Sequence, residues 1–205
     1  MTSVLGIDFS LNGTGLFFID ENNQTKFILF SKDKKLSSLQ SCVILPNILI
    51  QEDRLDWVVE KIRDIIINED ISFICMEDHI GRYFNWMDGY GILKKFIRDL
   101  KIPYVMGAPT IIKSYASDQG KADKSQMGYY LRKEYNLDYD YIGNCANNIV
   151  DAAWMAFLAR DFKDIVLSYY ASCSESTYKK VKQLFDEKRV LVATNSAYNF
   201  SQYIS

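Results

Sequence analysis

The chain has 205 residues, of which 48% are hydrophobic, 24% charged and 14% aromatic. That is enough for one ordinary globular core, and it excludes a large multidomain enzyme. Ten Gly, three Pro and no visible repeat or low-complexity tract exclude long disorder and a solenoid. No stretch reaches the roughly 18 unbroken apolar residues of a membrane helix, so a soluble protein is expected. Met1 to Ile7 lacks the basic-then-hydrophobic order of a signal peptide, which points to the cytosol. Cys42, Cys75, Cys145 and Cys173 form no C-x-x-C pair and read as buried thiols rather than a disulfide framework or a zinc site. The net charge of −2 is uneven: Lys94 to Lys133 holds nine Lys or Arg against three Asp, leaving −8 for the remainder. A basic central third inside an acidic chain suits phosphate binding in one region and metal binding in another, and equally suits a solvated helix face.

In chain order, Val4 to Ile7 reads as a strand ending at Asp8. The turn Ser10-Leu11-Asn12-Gly13-Thr14-Gly15 and the strand Leu16 to Ile19 complete a hairpin. A third strand follows at Thr25 to Ser31. Leu55, Val58, Val59, Ile62, Ile65 and Ile66 recur at helical spacing, predicting a helix over Arg54 to Ile67 with Asp53 as N-cap. Phe73-Ile74-Cys75-Met76 predicts a strand buried on both faces, ending at Glu77. An aromatic loop, Arg82 to Tyr90, then precedes a helix over Tyr90 to Leu100. Further on come a strand at Ile102 to Met106, a short helix at Ile111 to Ala116, a basic loop from Ser117 to Asp123, and helices at Lys124 to Tyr135 and Ala146 to Asp161. The tail reads as a helix over Ser174 to Lys188 and a strand at Val190 to Ala193. This order argues for an α/β fold, a mixed sheet flanked by helices on both faces.

Three acids stand where such a sheet would gather them: Asp8 and Glu77 at strand ends, and Asp151 in the first turns of a late helix. An acid closing a central strand is poorly explained by core formation, because desolvating an unpaired carboxylate is expensive. A bound cation would resolve that cost. Oxygen ligands without a His or Cys cluster select Mg²⁺ or Mn²⁺, and two such ions can activate water and stabilise the departing oxygen in phosphodiester cleavage. Taken singly, each acid is equally an ordinary solvated or capping residue.

Four segments, in order, resemble the RuvC family of Holliday junction resolvases, within the ribonuclease H-like superfamily. They are Leu5-Gly6-Ile7-Asp8 with Ser10 and Thr14-Gly15; Ile74-Cys75-Met76-Glu77; Pro109 through Lys113 to Lys124-Ser125-Gln126; and Asn148-Ile149-Val150-Asp151-Ala152-Ala153. The resemblance implies a ribonuclease H-like nuclease domain over residues 1–162, with 163–205 as a C-terminal extension packed on it. It implies a structure-selective endonuclease that resolves four-way junctions by paired nicks, acting as a homodimer on branched DNA with two divalent ions per site. Asp8, Glu77 and Asp151 would be metal ligands, and Lys113 and Lys124 would lie near the scissile phosphate, with Lys121 nearby. The family's fourth ligand position holds Asn148, which offers an oxygen but no charge. A resolvase with an unfamiliar tail suits a phage or other virus that must debranch replicated DNA, working in the cytoplasm of its host.

Arg82, Tyr83 and Phe84 lie where the resemblance implies a wedge into the junction, and aromatic rings there would stack on unpaired bases or pack against a second subunit. Asp78 points away from Glu77 on a strand, and the single histidine, His79, has no visible partner, so both read as structural. Other readings stay open: a broader flap or branched-DNA nuclease, a junction-binding protein without catalysis, and an actin-like or sugar-kinase ATPase whose glycine turn cradles phosphate. Against the last, no second glycine-rich phosphate loop is present.

Overall fold

Apolar strands and amphipathic helices take up the expected arrangement in the computed structural model, which describes residues 3–10, 12–47, 50–77, 84–117, 121–167 and 190–193. Strands β1 (Ser3–Asp8), β2 (Gly13–Asp20) and β3 (Thr25–Ser31) form an antiparallel meander. A short strand β4 (Cys42–Ile44) runs parallel to β3. On the other side of β1 lie the parallel strands β5 (Ile71–Glu77) and β6 (Tyr104–Gly107), and then β7 (Val190–Ala193), antiparallel to β6. Among the described residues the sheet order is β4-β3-β2-β1-β5-β6-β7. The helices are α1 (Gln51–Asn68), α2 (Phe84–Asp99), α3 (Pro109–Ser117), α4 (Lys124–Tyr135) and α5 (Ala146–Leu167).

Two cores form because side chains alternate across the sheet. Leu5, Ile7, Ile74 and Met76 face α1 and α2, burying Leu55, Val58, Ile62, Leu93 and Ile97. Val4, Phe73 and Cys75 face α3, α4 and α5, burying Ile112, Met127, Leu131, Ala153 and Phe157. Continued by two residues, that second set of positions puts Asp8 and Glu77 on the α5 face, at neighbouring strand ends, since Ile7 pairs with Met76. The fold is therefore α/β, a ribonuclease H-like mixed sheet with helices on both faces.

Helix α5 rests on β1 and β2 at backbone distance. A Cβ added at Gly6 would lie 2.0 Å from the Ala152 carbonyl oxygen, and one at Gly15 would lie 2.2 Å from that of Asn148. Only glycine permits this approach. It brings the first turns of α5, with Asp151, down onto the strand that ends at Asp8.

Several local expectations are corrected. Helix α1 begins at Gln51 with Ile50 as N-cap, so Asp53 lies in the first turn. There its charge favours the helix N-terminus without capping it. Residues 84–90 are the first turns of α2 rather than loop, and Tyr90 is buried against Phe9 with ring centroids 5.7 Å apart. The strand β4 and the 3₁₀ turn Lys34–Ser38 had no period long enough to announce them. The 174–188 helix lies outside the described residues, as do Asp78, His79, Arg82, Tyr83 and Cys173. Among the described residues, no helix is long and apolar enough to cross a membrane.

Candidate active site

At the carboxyl ends of β1 and β5, where open α/β sheets hold their ligands, an open cavity of about 320 Å³ is bordered by Asp8, Glu77, Asp151, Asn148, Lys113 and Lys124. Each arrives by a different local device. Asp8 and Glu77 come from strand alternation. Asp151 comes from the glycine-mediated descent of α5. Lys124 opens α4, whose start is pinned by a capping box: Asp123 Oδ1 accepts from Gln126 N at 2.8 Å, and Asp123 N donates to Gln126 Oε1 at 2.9 Å. Trp154 Nε1 then ties α5 to α4 by donating to Met127 O at 3.1 Å. Lys113 projects from α3, which Tyr115 fastens to α5 by a hydrogen bond to the buried Asp161.

The acids repel one another inside this concave wall. Burial first, and then the charges of Asp151 and Glu77, push the Asp8 carboxyl well above the usual carboxylate range. Burial and Asp151 push Glu77 up from 4.5 to about 7, against the lowering effect of Lys124 and Lys113. Asp151 is also raised by burial, and the two lysines lower it again. Lys124 Nζ stands 3.2 Å from Asp151 Oδ2, making an ion pair across the cavity mouth.

The donor chemistry is oxygen-only, which fits a hard divalent cation and not zinc. Among the described residues, however, no three His, Cys, Asp or Glu side chains stand as a ready ligand group. Asp151 is engaged by Lys124 instead. Asn148 turns its amide nitrogen to the Gly13 carbonyl, 3.0 Å away, leaving Oδ1 as its free ligand type.

The Ser10 to Thr14 turn is closed on itself. Gly13 N donates to Ser10 Oγ at 3.0 Å, Ser10 N donates to Thr14 Oγ1 at 3.1 Å, and Ser10 Oγ donates to Gly13 O at 2.7 Å. These N–H groups are spent, so the turn presents no phosphate cradle of the ATPase kind.

Of the other candidates, Lys121 is exposed just ahead of the Asp123 cap and does not border the cavity. Phe84 is the first residue of α2. Sequence reasoning missed the apolar rim of Phe9, Ile112, Met127 and Met155. Its signal was spacing: Met127 follows Lys124 by three residues and Met155 follows Asp151 by four, one helical turn each. It also left Tyr90 in a loop, although its hydroxyl donates to the Glu77 carbonyl oxygen and so steadies the end of β5.

The architecture is that of the ribonuclease H-like class, with its acids gathered at the carboxyl ends of the central strands. Within that class the fold is RuvC-like. Thermus thermophilus RuvC superposes with a TM-score of 0.54 at 15% identity over 75% of this chain and 90% of that one. The same protein in complex with a Holliday junction substrate gives a TM-score of 0.54 at 13% identity, covering 76% and 91% of the two chains. A yeast mitochondrial Holliday junction resolvase is also similar, with a TM-score of 0.45 at 14% identity over 91% of this chain and 81% of that one. No protein-family model and no curated protein sequence matches the chain.

Proposed function

We propose that the chain is a divalent-metal-dependent, structure-selective DNA endonuclease that nicks four-way junctions. The observation that carries this reading is the convergence of Asp8, Glu77 and Asp151 with Lys113 and Lys124 round one cavity. A RuvC bound to a Holliday junction shares the fold, which favours branched DNA over other phosphodiesters.

In this reading Asp8, Glu77 and Asp151 hold the metal, Mg²⁺ or Mn²⁺, with Asn148 supplying a neutral oxygen. When bound, the two ions implied for such a site supply an activated water and stabilise the leaving oxygen of an in-line displacement. The chain's own residues do the rest. Lys113 and Lys124 place ammonium groups where negative charge develops on the phosphorus, and the N-terminus of α4 adds a favourable dipole for the same anion. The rim of Phe9, Ile112, Met127 and Met155 lowers the local dielectric, which strengthens those charge interactions. Lys121 and the segment Arg82, Tyr83 and Phe84 contribute phosphate contacts and base stacking away from the reacting atoms. Paired symmetric nicks need two sites related by a two-fold axis, hence a homodimer. Residues 1–162 would form the nuclease domain and 163–205 an extension upon it.

A second reading, junction binding without cleavage, is favoured by the absence of a ready three-acid ligand group among the described residues. Incubating the purified protein with a synthetic four-way junction, linear duplex and forked DNA, with and without Mg²⁺, decides between them. Mg²⁺-dependent paired nicks confined to the junction are expected. Equal cutting of all three would indicate a generic nuclease, and tight junction binding with no cutting would select the binding protein.

A further inference from the structure

The charges round the cavity do not suit two divalent ions in the DNA-free protein. Three carboxylates face two ammonium groups, a formal sum of −1. One divalent ion takes the site to +1 and a second to +3, an excess of like charge within a partly buried space. Two side chains also fill the space a second ion would need. Lys124 Nζ lies 3.2 Å from Asp151 Oδ2, already serving that carboxylate as its cation. Asn148 brings no charge, and its amide nitrogen donates to Gly13 O, which also accepts from Ser10 Oγ. The amide has little freedom to turn: a Cβ at Gly13 would lie only 2.5 Å from Nδ2. By contrast, Asp8 and Glu77 end adjacent parallel strands on one face of the sheet, and no ion pair of either is found among the printed salt-bridge contacts of this site, where the pairing falls on Asp151.

We propose that the DNA-free protein takes up one divalent cation, held by Asp8 and Glu77, while the Lys124 ammonium occupies the second cation position at Asp151 until a DNA phosphate draws it away. This rests on the metal-dependent reading of the site above and sharpens it. Lys124 then has two successive partners: Asp151 at rest, and the phosphate in the complex. A tethered cation in place of a free one would keep the second ion, and with it cleavage, dependent on DNA being seated.

The test is calorimetric titration of MnCl₂ into the full chain without DNA, with bound Mn²⁺ counted independently by electron paramagnetic resonance. One ion per chain is expected for the wild type, and none for Glu77→Gln. Lys124→Met removes the tethered charge at a half-exposed position and should admit a second, weaker ion. The double variant Lys124→Met/Asn148→Asp, which also restores an acid, should bind two. Two ions in the wild type, or one ion in the wild type and still one in both Lys124→Met variants, would overturn the role of Lys124 while leaving the metal site standing. No uptake by the wild type or by any variant would instead remove the metal-dependent reading itself. A circular dichroism melt of each variant separates loss of a site from loss of the fold.

Discussion

Replacing Glu77 by Gln should stabilise the metal-free protein while destroying its activity. The folded chain holds the Glu77 carboxyl up at about 7, against 4.5 for the free side chain, chiefly through burial and then through Asp151. Because the folded value is the higher one, the folded state keeps the proton that the unfolded state releases. The associated stability is fully present below pH 4.5 and is lost as pH rises to about 7. At about 1.4 kcal/mol per pH unit the loss comes to about 3 kcal/mol. Glutamine fills the same space without ionising, and it also removes one of the charges that raise Asp8. In the presence of a chelator the Gln variant should therefore melt higher than the wild type at pH 8, by roughly 6 to 12 °C for a chain of this size. The two melting curves should converge as pH falls toward 4.5. Addition of MnCl₂ should raise the wild type and leave the variant unmoved, since an ion that binds only the folded state stabilises it by mass action. Junction cleavage should be absent in the variant and junction binding retained. A stability gap that does not change between pH 5 and pH 8, or a variant less stable than the wild type at pH 8, would refute the claim that the acids strain the fold.

Gly6→Ala should cost about 3 kcal/mol or more in urea denaturation, because the new methyl would meet backbone atoms of Ala152 and Ala156 at 2.0 and 2.4 Å, and neither can yield alone. Gly91→Ala is the contrasting case: nothing lies within 4 Å of its added methyl, so in α2 it should stabilise by about 0.5 to 1 kcal/mol in the same assay. Asp161→Ala should destabilise by about 3 kcal/mol, since the buried carboxylate accepts from Tyr115 and pairs with Arg160 at 2.8 Å, and its loss strands both. Lys113→Ala should slow single-turnover junction cleavage about a hundredfold, with a much smaller change in junction affinity measured at the same salt concentration; a loss confined to affinity would make it an ordinary phosphate contact.

The strands were legible wherever burial imposed a pattern. Thr25–Ser31 and the Phe73 to Met76 run have side chains committed to one core or the other, and the sequence carries that commitment openly. The acids were legible because a carboxylate at the end of an apolar run has few bland explanations. What could not be read was set by tertiary contact. Residues 84–90 contain Gly89 and several aromatics, a loop-like composition, yet they are helical, with Gly89 seated against the Leu55 side chain and Tyr90 reaching the Glu77 carbonyl. The start of α1 was misjudged because Asp53 resembles a cap, whereas Ile50 takes that place without a side-chain hydrogen bond. The Lys124 to Asp151 ion pair and the Asn148 to Gly13 hydrogen bond link residues far apart in the chain, and no local spacing encodes them.

Strand β7 covers the outer edge of β6, pairing Val190 with Gly107 and Ala193 with Tyr104. During synthesis that edge must wait for nearly the whole polypeptide to leave the ribosome before its backbone groups find their partner. An uncovered strand edge is a template for adding foreign chains, so nascent or truncated forms that stop short of residue 190 are the ones expected to call on chaperones or to aggregate.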